Sequence, residues 1–203
     1  MSGKARIAVL VSGGGTNLQA LIDAQQAGVI SSGSIELVIS NKAGAYALER
    51  AKNAGITGVT ILKKDCGSAE AFETEMLRVL KEHEIDMIVL AGFLSVLSAD
   101  FVSQYPNRII NVHPSLIPSF CGDGFYGLTV HEKALEYGVK VTGATVHFVN
   151  EITDGGEIIF QKAVEILDGD TPEVLQKRVM EQAEWILLPK ACELVSAQIV
   201  KDK

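Results

Sequence analysis

The sequence is poor in cysteine, short of positive charge and free of long apolar runs. Its three cysteines, Cys66, Cys121 and Cys192, are odd in number, widely spaced and unaccompanied by metal-ligand patterns. That argues against a disulfide framework or a metal site and suits reduced thiols in a cytosol. Lys and Arg number 18 against 25 Asp and Glu, a net charge of -7. With no basic cluster either, nucleic acid is a poor partner, because phosphate backbones need a basic face. The early apolar run from Ile7 to Val11 stops at once in glycines, too short for a signal peptide or a membrane span. A cytoplasmic protein with no membrane contact is expected. No linker, repeat or low-complexity stretch interrupts the chain, so residues 1–203 read as one domain, and 47% apolar content is enough for a full core.

What is present is an alternation of short β-branched runs with helical patterns. Arg6–Val11, Ile35–Ser40, Val59–Leu62, Met87–Ala91 and Ile109–Val112 read as strands, several apolar nearly throughout, as parallel strands covered on both faces are. Between them helices fit Asn17–Ala27, Ala45–Asn53, Ser68–His83 and Leu128–Tyr137, the third with Ser68 as N-cap and a stripe of Phe72, Met76, Val79 and Leu80. Ala144–Val149 and Glu157–Ile166 flank the turn residues Thr153-Asp154-Gly155-Gly156 and predict an antiparallel pair. A last helix starts at Thr171 and Pro172, with a kink expected at Pro189. The sum is an α/β, doubly wound, mostly parallel sheet of about seven strands, Rossmann-like, with antiparallel pairing near its C-terminal part. Ligands of such sheets bind beyond the carboxyl ends of the strands.

The first strand runs straight into a helix through Ser12-Gly13-Gly14-Gly15-Thr16-Asn17-Leu18. Bare glycine backbone and a helix N-terminus together make a phosphate cradle, a local answer to the unfavourable net charge. The spacing is neither a dinucleotide fingerprint nor a P-loop. The same glycines would also serve a tight turn that only packs helix on strand.

Asn111-Val112-His113-Pro114 leaves the end of a buried strand. Alternation puts Asn111 and His113 on one face, about 6–7 Å apart. An amide donor beside an imidazole suits acyl transfer, the first stabilising an oxyanion and the second moving a proton. Asp154, in its turn, is the candidate third member, and a carboxylate near His113 would raise the imidazole pKa. Each has a plainer reading, a hydrogen-bonded structural histidine and an ordinary turn aspartate. No activated nucleophile is evident, so direct attack by a substrate amine fits better than a covalent intermediate. The other histidines form no zinc pattern: His147 reads as a residue behind the site, and His83 and His131 as surface or capping residues.

Ser-Gly-x-Gly-Thr-Asn-Leu at 12–18, Ala-Gly-Phe-Leu at 91–94, Asn-Val-His-Pro-Ser-Leu-Ile-Pro at 111–118, and His-Phe-Val with Asp-Gly-Gly at 147–156 together resemble the phosphoribosylglycinamide formyltransferase family, folate-dependent enzymes of de novo purine synthesis. The resemblance runs in order from Arg6 to about Pro189. It implies transfer of the formyl group of 10-formyltetrahydrofolate, a co-substrate, to the amine of glycinamide ribonucleotide, without a metal, by a monomer or homodimer. By match of motif it implies Asn111, His113 and Asp154 as catalytic groups, Asp154 holding His113 protonated. It gives Gly15, Thr16, Asn17, Leu18, Gln19 and Glu184 to the ribonucleotide, with Glu181 as the alternative to Glu184. To the folate it gives Leu94, Ser95, Val96 and Leu97, Asn111, and Asn150, Glu151, Ile152, Thr153 and Asp154.

Two departures bear on specificity. Members of the family often carry Arg where Ser95 stands and another near Ala69, which leaves no obvious cation for the glutamyl tail of the folate. The segment 119–127 is longer than the common version, and its glycines and aromatics suggest a lid. Formyltetrahydrofolate hydrolase is the nearest alternative within the enzyme class. Methionyl-tRNA formyltransferase is disfavoured by the acidity, and a non-catalytic phosphate-binding module would use only the glycine loop.

Overall fold

The structure, a computed structural model, describes residues 3–203. One seven-stranded sheet organises it, in the order β3-β2-β1-β4-β5-β6-β7. The strands are β1 (Ala5–Val11), β2 (Gly33–Ser40), β3 (Thr57–Thr60), β4 (Met87–Leu90), β5 (Ile109–His113), β6 (Val141–Phe148) and β7 (Ile158–Glu165). β1 to β5 pair in parallel, while β5–β6 and β6–β7 pair antiparallel. The helices are α1 (Thr16–Gln26), α2 (Tyr46–Asn53), α3 (Lys63–Cys66), α4 (Ala69–Glu82), α5 (Ala99–Ser103), α6 (Leu128–Tyr137), α7 (Pro172–Val179) and α8 (Trp185–Asp202). The doubly wound reading of the sequence is what the chain adopts.

The pleat explains why the strand runs are apolar throughout. In β1, Ile7, Val9 and Val11 face one core shared with α1 and α8, while Ala8 and Leu10 face a second core built with α4 and α5. Strands covered on both faces cannot alternate with polar residues without burying them. β3 is the exception: it begins two residues earlier than its apolar residues suggest, because Thr57 and Gly58 pair with Leu37 and Val38 at an exposed edge where no burial pattern is imposed. The short α3 and α5, too brief to show a period, went unread; α5 is capped by Ser98, whose hydroxyl accepts from the Phe101 N–H.

The last helix differs from expectation in a way that shapes the site. Pro189, where a kink is expected, lies inside α8. The irregularity comes earlier, as a π-helical segment over Met180–Glu184 between α7 and α8. Such a segment carries one extra residue per turn and re-aims the side chains around it.

The order of strands reverses on either side of β1 and β4, so the segments following these two strands diverge and leave a crevice between them. Ser12 ties the crevice walls together: its N–H donates to Gly92 O, and its hydroxyl accepts from the Leu94 N–H at 2.9 Å.

Candidate active site

β5 delivers Asn111 and His113 to the carboxyl edge of the sheet, and β6 sets His147 directly across from Asn111. The turn after β6 then swings Asp154 over both histidines. His113 Nδ1 lies 3.4 Å from Asp154 Oδ2, and His147 Nε2 lies 3.6 Å from Asp154 Oδ1. His113 Nε2 is 2.8 Å from the Phe120 carbonyl, so that nitrogen carries a proton and donates it. The Gly122 N–H donates to Asp154 Oδ2 at 2.9 Å, and Asn111 Nδ2 meets His147 Nε2 at 3.2 Å. Asp154 and Phe120 both hold positive φ, 54° and 51°. Backbone strain of this kind persists where surrounding contacts over-determine it. Proximity of residues 113 and 154, beyond the reach of sequence, is thus a property of the β6 turn.

Charges in this group do not follow the simple expectation. Burial lowers the pKa of His113 and outweighs Asp154 and the Phe120 carbonyl, which raise it. A carboxylate beside the ring therefore does not make it basic here; desolvation of the imidazolium wins. Burial pushes Asp154 up, but the His147 ring, His113 and the Gly122 N–H together hold it below the ordinary carboxylate range. The resting site is a firmly ionised Asp154 facing an imidazole that resists protonation.

The segment 15–19 divides among three directions, as helical spacing dictates. Asn17 faces the cleft, where its Nδ2 donates to Glu184 Oε2 at 2.7 Å. The Leu18 side chain is fully buried in the core. Thr16 and Gln19 line a second hollow of ≈ 450 Å³, with Arg50 and Trp185. Gly15 has φ 72°, and a Cβ there would lie 2.6 Å from the Ala47 Cβ, so glycine is required for helix packing as well. Arg50, which the sequence reading did not single out, donates to the Gly14 carbonyl at 2.8 Å and to Gln19 Oε1 at 3.0 Å. It sets a guanidinium beside the glycine loop.

The main cleft, ≈ 430 Å³, is lined by Leu94 to Leu97, by Asn111 and His113, and by the whole 150–154 turn. Leu94, Val96 and Ile152 are exposed, a wall of apolar surface that only a ligand would cover; Leu97 is core. Ser95 accepts a hydrogen bond from Asn41 Nδ2 at 2.9 Å. The residues Gly122 to Gly127 close one side, so the long loop does lie over the site.

Glu184 sits at the base of this cleft, 6% exposed, while Glu181 points outward with its Oε1 3.8 Å from Lys177. Of the two, both on the π segment, Glu184 is the one that lines the cleft. Burial raises the Glu184 carboxyl to about 7, against the Asn17 hydrogen bond, which lowers it. His131 was misread as a surface residue: it is fully buried, lines the cleft, and has neither ring nitrogen hydrogen-bonded within the protein. Burial, with His113 nearby, lowers its pKa to about 4. Its place in the first turn of α6, whose apolar face includes Val130 and Ala134, was the available signal. Gln176 and Met180 also line the cleft and carried no sequence signal. Among the described residues no group of three or more His, Cys, Asp or Glu could hold a metal ion.

The model of the formyl transferase family matches residues 5–191. The chain belongs to that family. It is 43% identical over 180 residues to phosphoribosylglycinamide formyltransferase of Escherichia coli, covering 89% of this chain and 82% of that one. It is 46% identical over 198 residues to the trifunctional purine biosynthetic protein adenosine-3 of Homo sapiens, where the match takes 98% of this chain. The chain spans only 19% of the length of that trifunctional relative. Among solved structures, phosphoribosylglycinamide formyltransferase from Brucella melitensis superposes with a TM-score of 0.87 at 42% identity, covering 96% of each chain. Glycinamide ribonucleotide transformylase 1 from Symbiobacterium toebii gives 0.90 at 41% identity, over 96% of this chain and 89% of the other. These solved structures thus share the fold of this chain over 96% of its length.

Proposed function

We propose that this protein transfers the formyl group of 10-formyltetrahydrofolate to the amine of glycinamide ribonucleotide. The observation that carries the reading is the convergence of Asn111, His113 and Asp154 in a cleft that also reaches Asn17 and Glu184. Asn17 opens α1 beside the glycine loop, where backbone N–H groups and the helix dipole favour a phosphate. The ribose would then lie toward Glu184, and the folate ring against Leu94, Val96 and Ile152, apolar on its faces and met by backbone amides at its edge.

In that arrangement the amine attacks the formyl carbon directly. Asn111 donates an amide N–H to the developing oxyanion, a type of contact whose loss costs about 10²–10³-fold in rate. His113 takes part in moving the proton lost by the amine, and Asp154 favours its cationic form at the moment that charge appears. Burial keeps that cation unfavourable at rest, so the proton is not retained once the transfer is over. Tetrahydrofolate leaves when its nitrogen regains a proton. The reaction needs no metal, and we assign the work to the cytoplasm, to a monomer or homodimer of a single domain. No helix among the described residues is long and apolar enough to cross a membrane.

The test is formyl transfer from 10-formyltetrahydrofolate to glycinamide ribonucleotide by wild type, His113→Ala and Asp154→Asn. Both variants should lose roughly 10²-fold or more in kcat. Absence of transfer by wild type to this acceptor removes the assignment. Release of formate without an acceptor would point to the hydrolase instead. Variants with full rate would overturn the roles of His113 and Asp154 while leaving the substrates intact.

A further inference from the structure

The amide of Asn111 is useful to an oxyanion only if its nitrogen, and not its oxygen, is turned the right way. A side-chain amide is nearly symmetric in shape, so sterics alone cannot hold one orientation. The structure shows what can. His147 Nδ1 lies 2.7 Å from the Phe148 carbonyl, an acceptor only, so the ring proton sits on Nδ1. Nε2 is then left to accept with its lone pair, and of the two groups facing it Asn111 Nδ2 at 3.2 Å is within hydrogen-bond distance while Asp154 Oδ1 at 3.6 Å is not. Reversing the amide would set Asn111 Oδ1 against that lone pair.

Three further features converge on this histidine. It is 2% exposed, so water does not compete for the ring. The β6–β7 register slips beside it, Val146 pairing with Phe160 but His147 with Ile158; irregularities of this kind re-aim side chains next to active sites. Gly156 gives the Phe148 carbonyl its room, since a Cβ there would meet that oxygen at 1.7 Å. The Asp-Gly-Gly turn therefore does two jobs, carrying Asp154 and clearing the carbonyl that fixes the His147 tautomer.

We propose that His147 is a positioning residue for formyl transfer: its Nδ1–H tautomer, set by the Phe148 carbonyl, locks Asn111 with its amide nitrogen available as the oxyanion donor. His147 does not touch the reacting atoms and acts through Asn111. The inference rests on the formyl-transfer reading for its consequence, and on the hydrogen-bond geometry for its cause.

Two measurements test it. In wild-type protein, long-range ¹⁵N–¹H correlation spectra of the imidazoles should show the His147 proton on Nδ1. A proton on Nε2 would overturn the proposal, whatever the activity, and this arm needs no substitution that threatens the fold. The second arm is a cycle of Asn111→Ala, His147→Leu and the double variant, with His147→Gln as the conservative control. His147→Leu should lower kcat by about 10²-fold, the scale of a lost oxyanion donor, with KM for both substrates little changed. Once Asn111 is alanine, His147→Leu should cost little more, because residues acting as a unit are not additive. His147→Gln, whose Oε1 can accept from Asn111, should recover most of the lost kcat. Additive losses, a loss confined to KM, or a Gln variant as poor as Leu would overturn it. If wild type transfers no formyl group, the proposed function fails on its own, and the tautomer still decides the lock.

Discussion

Asn17 and Glu184, 167 positions apart, meet at the base of the cleft through a 2.7 Å hydrogen bond from the amide nitrogen to Oε2. One comes from the first turn of α1 and the other from the π segment, so this contact joins the glycine loop to the last helix. Glu184→Gln should raise KM for the ribonucleotide about tenfold, the scale of one hydrogen bond to a charged group, leaving KM for the folate unchanged. Glu181→Gln, on the outward side, should change neither. Steady-state kinetics with each substrate varied separates the two residues.

The same carboxyl predicts how stability depends on pH. Because folding raises its pKa from 4.5 to about 7, the native state holds this proton more tightly than the unfolded chain does. Stability from Glu184 is therefore present below pH 4.5 and is lost as pH rises through about 7. The ceiling is roughly 3 kcal/mol, from the size of the shift. Thermal melts should show Glu184→Gln gaining on wild type between pH 5 and pH 8, with no gain if the carboxyl is not desolvated.

Acid acts on the histidines with the opposite sign. His131 falls to about 4 from 6.5, and His113 is lowered too, so the unfolded chain takes up these protons first. Their contribution is present above pH 6.5 and is lost as pH drops through about 4. His131→Leu should flatten the fall in Tm between pH 6.5 and pH 4 relative to wild type, whatever its effect at neutral pH. An unchanged slope would show that His131 is not desolvated.

The loop over the cleft is held by hydrogen bonds and ring contacts. His113 Nε2 donates to the Phe120 carbonyl, Gly122 donates to Asp154, and the Phe120 ring packs at 6.4 Å on Phe125 and at 6.0 Å on Tyr137. A His113 that serves a reaction must release the Phe120 carbonyl. Hydrogen exchange over residues 119–127 should therefore change when folate and ribonucleotide analogues bind together. Identical exchange in free and bound protein would mean the loop is a fixed wall and not a lid.

The family resemblance leads one to expect an arginine at Ser95 and another near Ala69. Ser95 lines the cleft, and Ala69 opens α4 at an exposed position. Ser95→Arg should lower KM for a folate with several glutamyl residues more than for the monoglutamate. The gain should shrink in high salt, because an exposed charge pair is screened within about 10 Å at 0.1 M. Equal effects on both folates would show that the tail does not pass this position.

Much of the site was legible because its chemistry sits at strand ends. Apolar runs fixed β1, β4 and β5, and the residues just after them had to lie at the carboxyl edge of the sheet. Asn111 and His113 shared a face by alternation alone, and the Asp-Gly-Gly turn was readable as a turn. His131 was only weakly legible: it shares the buried face of α6 with Val130 and Ala134, but that spacing does not say whether the face meets core or cleft.

What the sequence determined by itself is local: period, caps, turns and the order of elements, each set by interactions within a few residues. Tertiary structure decided the rest. It brought Asp154 to His113 and Asn17 to Glu184, turned Glu184 and not Glu181 into the cleft, and set the balance by which burial outweighs Asp154 at His113. Those outcomes depend on which elements pack together and how much water they exclude, and desolvation belongs to the assembled cleft, not to any segment of the chain.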